Sequence, residues 1–410
     1  MSLANASPVP VGSVRDAPGF SETLEIGSAR FALYVHVPYC RSKCPYCDFN
    51  SYASPSWPEP EYVDALCAEL EYRSEQAPWR GSQVATIFFG GGTPSLFNPG
   101  SIGRVIATAN HLFGIEANAE ITLEANPGTV DLEKLRGFRS AGVNRMSFGA
   151  QSFRGETLIR LGRTHSPEET VQALGLARQA GFEQLNLDLI FAVPGQALDD
   201  VAADLRRAAE LSPDHISAYN LTFEDGTPFG EALRRGRLHA LDSDLQGEMY
   251  ALVRSTLPGL GYRHYEISNY ARPGCEARHN LAYWHYESYL GIGAGAHSFA
   301  RANAGGRRWW NERGPRAYMV AASGEGSAEA GSESIDGRTA AGEFVFLNLR
   351  LTDGFALEDF AARFGERFET AFSEQAACLT EAGMLLVEGG RVRLTERGLE
   401  LADSVFANFV

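Results

Sequence analysis

Between Phe31 and about Phe223 the chain alternates short apolar runs with longer helical patterns, and this regularity narrows the possible folds more than any other feature. Apolar runs lie at Phe31–Val37, Val84–Phe89, Glu120–Leu123, Arg145–Phe148, Gln184–Ile190 and His215–Leu221. Between them, Glu61–Gln76, Ser101–Phe113, Leu132–Ala141, Pro167–Gln179 and Leu198–Leu211 carry apolar residues at helical spacing. Parallel strands need a crossover rather than a tight turn, and a helix usually supplies it, so this order predicts an α/β fold. Six such units suit a partial (β/α)6 barrel. A doubly wound open sheet satisfies the same pattern.

The first apolar run leads into Tyr34–Ser51, YVHVPYCRSKCPYCDFNS, which sets out Cys40, Cys44 and Cys47 as C-x3-C-x2-C. Three thiolates from one loop can ligate three irons of a [4Fe–4S] cluster and leave the fourth iron open. Structural zinc is the competing reading, but it normally takes four ligands, often as two short pairs. No second Cys pair follows, and His36, the candidate fourth ligand, stands inside a predicted strand. A disulfide framework is disfavoured, because six cysteines in 410 residues are sparse and nothing indicates secretion.

Active sites of parallel barrels lie at the carboxyl ends of the strands. The chemically suggestive residues obey that rule here. Cys40, Cys44 and Cys47 follow the first run and Gly90–Pro94 follows the second. Glu124 ends the third, Gln151 follows the fourth, Asp188 sits late in the fifth, and Asn220 and Leu221 close the sixth. Consecutive glycines after a strand let the backbone turn sharply and approach a ligand closely.

A chain of 410 residues, 44% hydrophobic, can bury a large core and suits one large domain with a smaller one. A net charge of −15 argues against a nucleic-acid partner. No apolar run reaches the ~18 residues of a membrane helix, so no transmembrane segment is expected. Residues 1–30 are rich in Pro, Ser, Gly and Ala, lack the features of a signal peptide, and read as a flexible tail. Reduced thiols and an oxygen-sensitive cluster fit the cytoplasm.

The cysteine spacing with its flanks YVHVP and PYCDFNS resembles the radical S-adenosylmethionine (SAM) proteins of the HemN/HemW family, oxygen-independent coproporphyrinogen III oxidases and related haem chaperones. The resemblance runs from about Phe31 to Val410. It implies a partial (β/α)6 TIM-like radical SAM barrel over 31–230 and SAM as a cofactor beside the cluster. Gly91, Gly92 and Thr93 in GGGTP then match the element that contacts the methionine amino end. Glu124 in LEANP and Gln151 in SFGAQSF match family positions at SAM. Arg163 in RLGRTH matches the arginine that holds the methionine carboxylate, and Asp188 in NLDLI an acid near the ribose. A guanidinium fork suits a carboxylate, and carboxylate or amide oxygens suit ribose hydroxyls. Tyr34 and Tyr46 resemble positions packed near SAM and the cluster. One departure is Ala192 in LIFAVPGQ, where the family more often has glycine.

Residues 231–320 read as a family-specific extension. His279–Trp284, HNLAYW, matches the HNxxYW motif of the chaperone branch, so the resemblance implies haem contact at His279; the same residues also suit a cap on the barrel packed over the SAM site. Read from the residues themselves, His285 and His297 are either further ligands or plain hydrogen-bonding residues, and Cys275 is a further candidate thiolate. Residues 321–342 are Gly-, Ser-, Ala- and acid-rich and read as a flexible linker or loop. Residues 343–410 resemble the family's smaller, mainly helical C-terminal domain. Its LLVEGGRVRLT hairpin, turning at Gly389 and Gly390, has a winged-helix outline. Acids outnumber bases there, and no recognition helix rich in Arg or Lys is present. Cys67 shares an apolar helix face with Val63, Leu66 and Leu70 and reads as core. Cys378 gets the same reading.

Three features separate the branches. The oxidases carry a fourth Cys two residues after the third, where this chain has Phe49. They also carry an N-terminal extension longer than the roughly forty residues before the cluster loop here. Finally, HNLAYW belongs to the chaperone branch. The expectation is a haem chaperone that lacks coproporphyrinogen oxidase activity, with haem, acceptor haemoproteins and an electron donor as partners. The alternative is oxygen-independent coproporphyrinogen III dehydrogenase.

Overall fold

The computed structural model describes residues 30–302 and 304–410. The tail expected over 1–30 lies, apart from Arg30, outside the described residues. Six parallel strands, β1 (Arg30–Val37), β2 (Gln83–Gly91), β3 (Ile115–Ala125), β4 (Arg145–Gln151), β5 (Gln184–Phe191) and β6 (His215–Asn220), neighbour one another in chain order. A doubly wound sheet would reverse its order part-way across. Unbroken order with right-handed crossovers puts every connecting helix on one face, so the sheet curls as a barrel wall.

The connecting helices have local reasons to start where they do. Pro167–Gln179 begins with a proline in its first turn and a full capping box, in which Ser166 and Glu169 satisfy each other's backbone N–H. Leu132–Ser140 is capped by Asp131, which accepts from the Lys134 N–H.

The strands show a period of two. Phe31, Leu33, Val35 and Val37 of β1 join the core packed against the helices. Tyr34 and His36 take the other face. The same inner face carries Thr86, Glu124, Ser147, Asn186, Asp188, His215 and Ser217, which hydrogen-bond with one another or with residues facing them. The barrel is apolar outside its wall and polar within.

The wall does not close on itself. On one side β6 pairs antiparallel with Asn269–Ala271, and Arg263–Glu266 follows it. On the other, β1 pairs parallel with Tyr289–Ile292, followed by His297–Arg301, Gly306–Asn311 and Glu329–Ile335, to complete a twelve-stranded sheet. Residues beyond 230 therefore continue the same sheet at both ends. Residues 321–342, expected as a flexible linker, are instead built into the fold. They hold the end of the helix Pro315–Glu325, the edge strand Glu329–Ile335 and the start of the helix Gly337–Asn348. Small polar and acidic residues are what an exposed edge strand tolerates, and Glu329 and Glu333 pair with Arg307 and Arg308 of the neighbouring strand.

The C-terminal region has its own core, in which Phe344, Phe355, Phe360, Phe368 and Phe372 pack edge-on or tilted. Its hairpin, Leu385–Glu388 and Arg391–Leu394, turns at Gly389 (φ 58°) and Gly390 (φ 76°), a pair of left-handed residues of the kind a two-residue hairpin loop requires. Phe355–Ala356 pairs with the hairpin as a third strand. Cys67 is buried as expected, but Cys378 is exposed, because its helix turns Ala376 and Leu379 inward instead. No described helix is long and apolar enough to cross a membrane.

Candidate metal centre at the barrel mouth

Beyond Val37 the chain turns at Pro38 and enters the cysteine loop. Tyr39–Cys40 and Tyr52–Ala53 pair as two-residue strands and pinch the loop shut. Inside it, Lys43 Nζ donates to the carbonyls of Phe49 and Ser51 at 3.0 and 3.1 Å. The glycine run at the end of β2 lies directly against this loop. Gly92 N–H donates to Val37 O (2.7 Å) and Thr93 N–H to Tyr39 O (2.9 Å). A Cβ on Gly92 would fall 2.7 Å from Tyr39 O, and one on Gly91 (φ +109°) would strike the His36 ring. Gly92 thus admits the start of the cysteine loop, and Gly91 the His36 ring of β1.

Each of the three sulfurs has a hydrogen-bonding neighbour. Thr93 Oγ1 donates to Cys40 Sγ at 3.4 Å, and Arg163 Nη1 to Cys44 Sγ at 3.5 Å. Ser51 Oγ lies 3.7 Å from Cys47 Sγ. Burial pushes the Cys40 and Cys47 thiols up, opposed by these hydroxyl groups. Thiols from one loop, each met by a donor, fit the sulfur set of a [4Fe–4S] cluster with one iron left free of protein ligand.

The zinc reading loses its fourth ligand. His36 Nε2 is bonded to Asn50 O (2.9 Å) and Nδ1 to the Tyr34 hydroxyl (3.0 Å). Burial lowers this imidazole to about 4, so it is neutral and both nitrogens are committed. Among the described residues, no group of three His, Cys, Asp or Glu side chains is set to hold a metal ion.

The other expected residues line the same mouth. Glu124 Oε2 accepts from the Gly91 N–H at 3.2 Å. Burial, and then the charge of Asp188, raises its carboxyl to about 8, against that N–H. Asp188 is also raised by burial, but Ser217, Asn186 and Ser147 oppose the shift; Ser147 Oγ donates at 3.1 Å and Asn186 Nδ2 at 2.8 Å. Gln151 sits beyond a bulge in β4 at φ 65°, a left-handed conformation rare for a residue with a side chain. Arg163 Nη2 donates to Gly149 O (2.9 Å) and to Asn126 Oδ1. Tyr46 packs with Phe229 on a small apolar cluster beside the cysteine loop.

His279 is not part of this mouth. Its ring is 1% exposed, with Nδ1 2.8 Å from Thr86 Oγ1 and Nε2 2.9 Å from the Tyr283 hydroxyl. It stacks on Phe88 with centroids 5.2 Å apart. Burial and then the charge of Arg145 lower it to about 3. Its neighbours Tyr283 and Trp284 enter the core of the C-terminal region, and Arg350 from that region lies 4.4 Å over the Trp284 ring. HNLAYW therefore spans the barrel wall and the core of the C-terminal region. His285 is exposed, and His297 is tilted against Trp310.

Sequence reasoning passed over Asn126, Ser147, Asn186, His215 and Tyr265. His215 Nδ1 meets Asn186 Oδ1 at 2.6 Å, and its Nε2 meets the Tyr265 hydroxyl at 2.8 Å, so a polar chain runs inward from Asp188. The signal was available: buried parallel strands normally read as continuous apolar runs, whereas β4, β5 and β6 interleave polar residues at every second position.

Residues 34–208 match the Radical SAM superfamily and residues 335–401 the HemN C-terminal domain. The chain is 35% identical over 378 residues to a Bacillus subtilis protein named heme chaperone HemW, covering 92% of this chain and 98% of that one. Proteins of the same name from Mycobacterium tuberculosis and Escherichia coli are 37% and 39% identical, over 92% and 82% of this chain and 93% and 86% of theirs. Among solved structures, the Escherichia coli coproporphyrinogen III oxidase HemN superposes with a TM-score of 0.80 at 24% identity, over 94% of this chain and 91% of that one.

Proposed function

The chain belongs to the HemW family of haem chaperones within the radical SAM proteins, and from that kinship we propose that it binds haem and passes it to acceptor haemoproteins. The observation that carries this reading is identity of 35–39% extending over nearly the whole length of proteins so named. Likeness to the oxidase is a likeness of fold, at 24% identity. Phe49, 38% exposed where the oxidases place a cysteine, favours the chaperone reading over the dehydrogenase.

In this proposal Cys40, Cys44 and Cys47 hold a [4Fe–4S] cluster whose free iron takes SAM. Such a cluster supplies one-electron chemistry, for which an electron donor is needed. Gly91, Gly92, Thr93, Glu124, Gln151, Arg163 and Asp188, with Tyr34 and Tyr46 behind them, bind SAM. Arg163 carries the charge that suits the methionine carboxylate, and Asp188 is kept in place for the ribose by Ser147 and Asn186. His279 is assigned to the joint between barrel and C-terminal region rather than to iron. An oxygen-labile cluster of this kind belongs in the reducing cytoplasm.

The test pairs two assays after anaerobic reconstitution. We expect haem to stay with the chain through gel filtration and to move to an apo-haemoprotein. With SAM and a reductant, no carbon dioxide should be released from coproporphyrinogen. Turnover of the porphyrinogen would make the dehydrogenase reading correct, and failure to retain haem would end the chaperone reading. Stoichiometric zinc with no iron would remove the cluster from both.

A further inference from the structure

Two of the three loop cysteines are joined by a chain of side chains that crosses three strand ends. Arg163 donates through Nη1 to Cys44 Sγ and through Nη2 to Asn126 Oδ1. Asn126 Nδ2 donates to Thr93 Oγ1 at 3.0 Å, and Thr93 Oγ1 donates to Cys40 Sγ at 3.4 Å. The direction of every link is determined. A guanidinium has no acceptor, so the oxygen of the Asn126 amide faces Arg163 and its NH2 faces Thr93. A hydroxyl that receives the Asn126 proton keeps its own proton for Cys40. Without Asn126, nothing on that side prevents the Thr93 hydroxyl from rotating away.

Asn126 is itself held firmly. Its carbonyl accepts from both the backbone N–H and the hydroxyl of Thr129, at 3.0 and 2.7 Å, and Thr129 Oγ1 lies 2.6 Å from Ser95 Oγ. Thr93 is almost fully buried, so its hydroxyl has little water to turn to.

We propose that Asn126 is a positioning residue for the metal centre: through Thr93 and Arg163 it aims one hydrogen bond at Cys40 and another at Cys44, and thereby sets the reduction potential of the cluster. Donors aimed at ligating sulfurs stabilise the extra negative charge of the reduced state. Losing them moves the potential to more negative values. The inference rests on the cluster assignment made above.

The experiment is a mediated redox titration of the reconstituted full chain, read by the paramagnetic signal of the reduced cluster. Asn126→Asp keeps the size of the side chain and its bond to Arg163. As a carboxylate, however, it accepts the Thr93 proton and turns that hydroxyl away from Cys40. Thr93→Val deletes the same donation directly. Each should shift the midpoint to more negative potential. The double variant separates relay from charge: in the Thr93→Val background, Asn126→Asp should shift the midpoint by less than it does alone. If Asn126→Asp fails to retain iron, Asn126→Ala, which adds no charge, takes its place in the cycle. An unchanged midpoint in the Asn126 variants, or two shifts that simply add, overturns the proposal while leaving the cluster assignment intact. Absence of a cluster from the unaltered chain overturns both.

Discussion

Gly91 and His36 occupy a space that only one of them can fill: a Cβ on Gly91 would lie 2.3 Å from Cε1 of the imidazole. Gly91→Ala must push aside a ring whose two nitrogens are bonded to Tyr34 and Asn50, and must hold an L side chain at φ +109°. Overpacking and left-handed strain together should cost about 2–4 kcal/mol. Urea unfolding measures this. In a His36→Ala background the same substitution should cost clearly less, and equal costs would show that the clash is not the cause.

Arg163→Ala tests the charge-assisted pair with the SAM carboxylate that the proposed function gives this residue. That interaction is worth on the order of 1.5–3 kcal/mol, so SAM affinity should fall roughly ten- to a hundredfold. Calorimetric titration reads it directly. An unchanged affinity would separate Arg163 from SAM and leave it only its bonds to Cys44, Asn126 and Gly149.

Glu124 makes stability fall as pH rises. Its carboxyl is raised by burial and by Asp188 to about 8 from an ordinary 4.5, so the folded chain keeps a proton that the unfolded chain gives up. The favourable contribution is complete below pH 4.5 and is lost as pH rises through about 8, with a total on the order of a few kcal/mol. Glu124→Gln has no proton to lose. The difference in urea midpoint between the variant and the unaltered chain should therefore grow from pH 5 to pH 8 in favour of the variant. A difference independent of pH would show that Glu124 titrates normally.

His279→Ala should cost about 2–4 kcal/mol, because it empties a buried ring site and leaves Thr86 and Tyr283 without partners. The folded fraction should keep the Soret band of the unaltered haem complex. A displaced band in fully folded protein would return His279 to the iron.

Ala192 stands at φ +61° and is 2% exposed. Ala192→Gly relieves left-handed strain but loses a buried methyl group, so its net effect should stay within about 1 kcal/mol. Ala192→Val, which adds β-branching in a closed space, should cost about 2 kcal/mol or more. Thermal denaturation of the pair checks this, and a tolerated valine would show that the strand end yields.

The sequence by itself determined what local chemistry can determine. Six alternations of strand and helix required parallel pairing, because no short turn joins parallel strands. The cysteine spacing placed three thiols in one loop, and Gly389-Gly390 placed a hairpin turn. Cys40, Thr93, Glu124, Gln151 and Asp188 were legible at successive strand ends, since a strand's length and end show in its own residues.

Tertiary structure decided whatever depends on partners distant in the chain. The pairing of β1 with Tyr289–Ile292 joins segments more than 250 residues apart, and no periodicity in either announces the other. That pairing made a continuous sheet of what read as an extension beyond residue 230. An aromatic-rich motif reads alike as an open wall or a packed joint; the bonds from His279 to Thr86 and Tyr283 made it a joint. Asn126 looked like an ordinary loop residue until the fold set Arg163 on one side of its amide and Thr93 on the other. A hydrogen bond is directional and short, so its partners become known only when three dimensions bring them together.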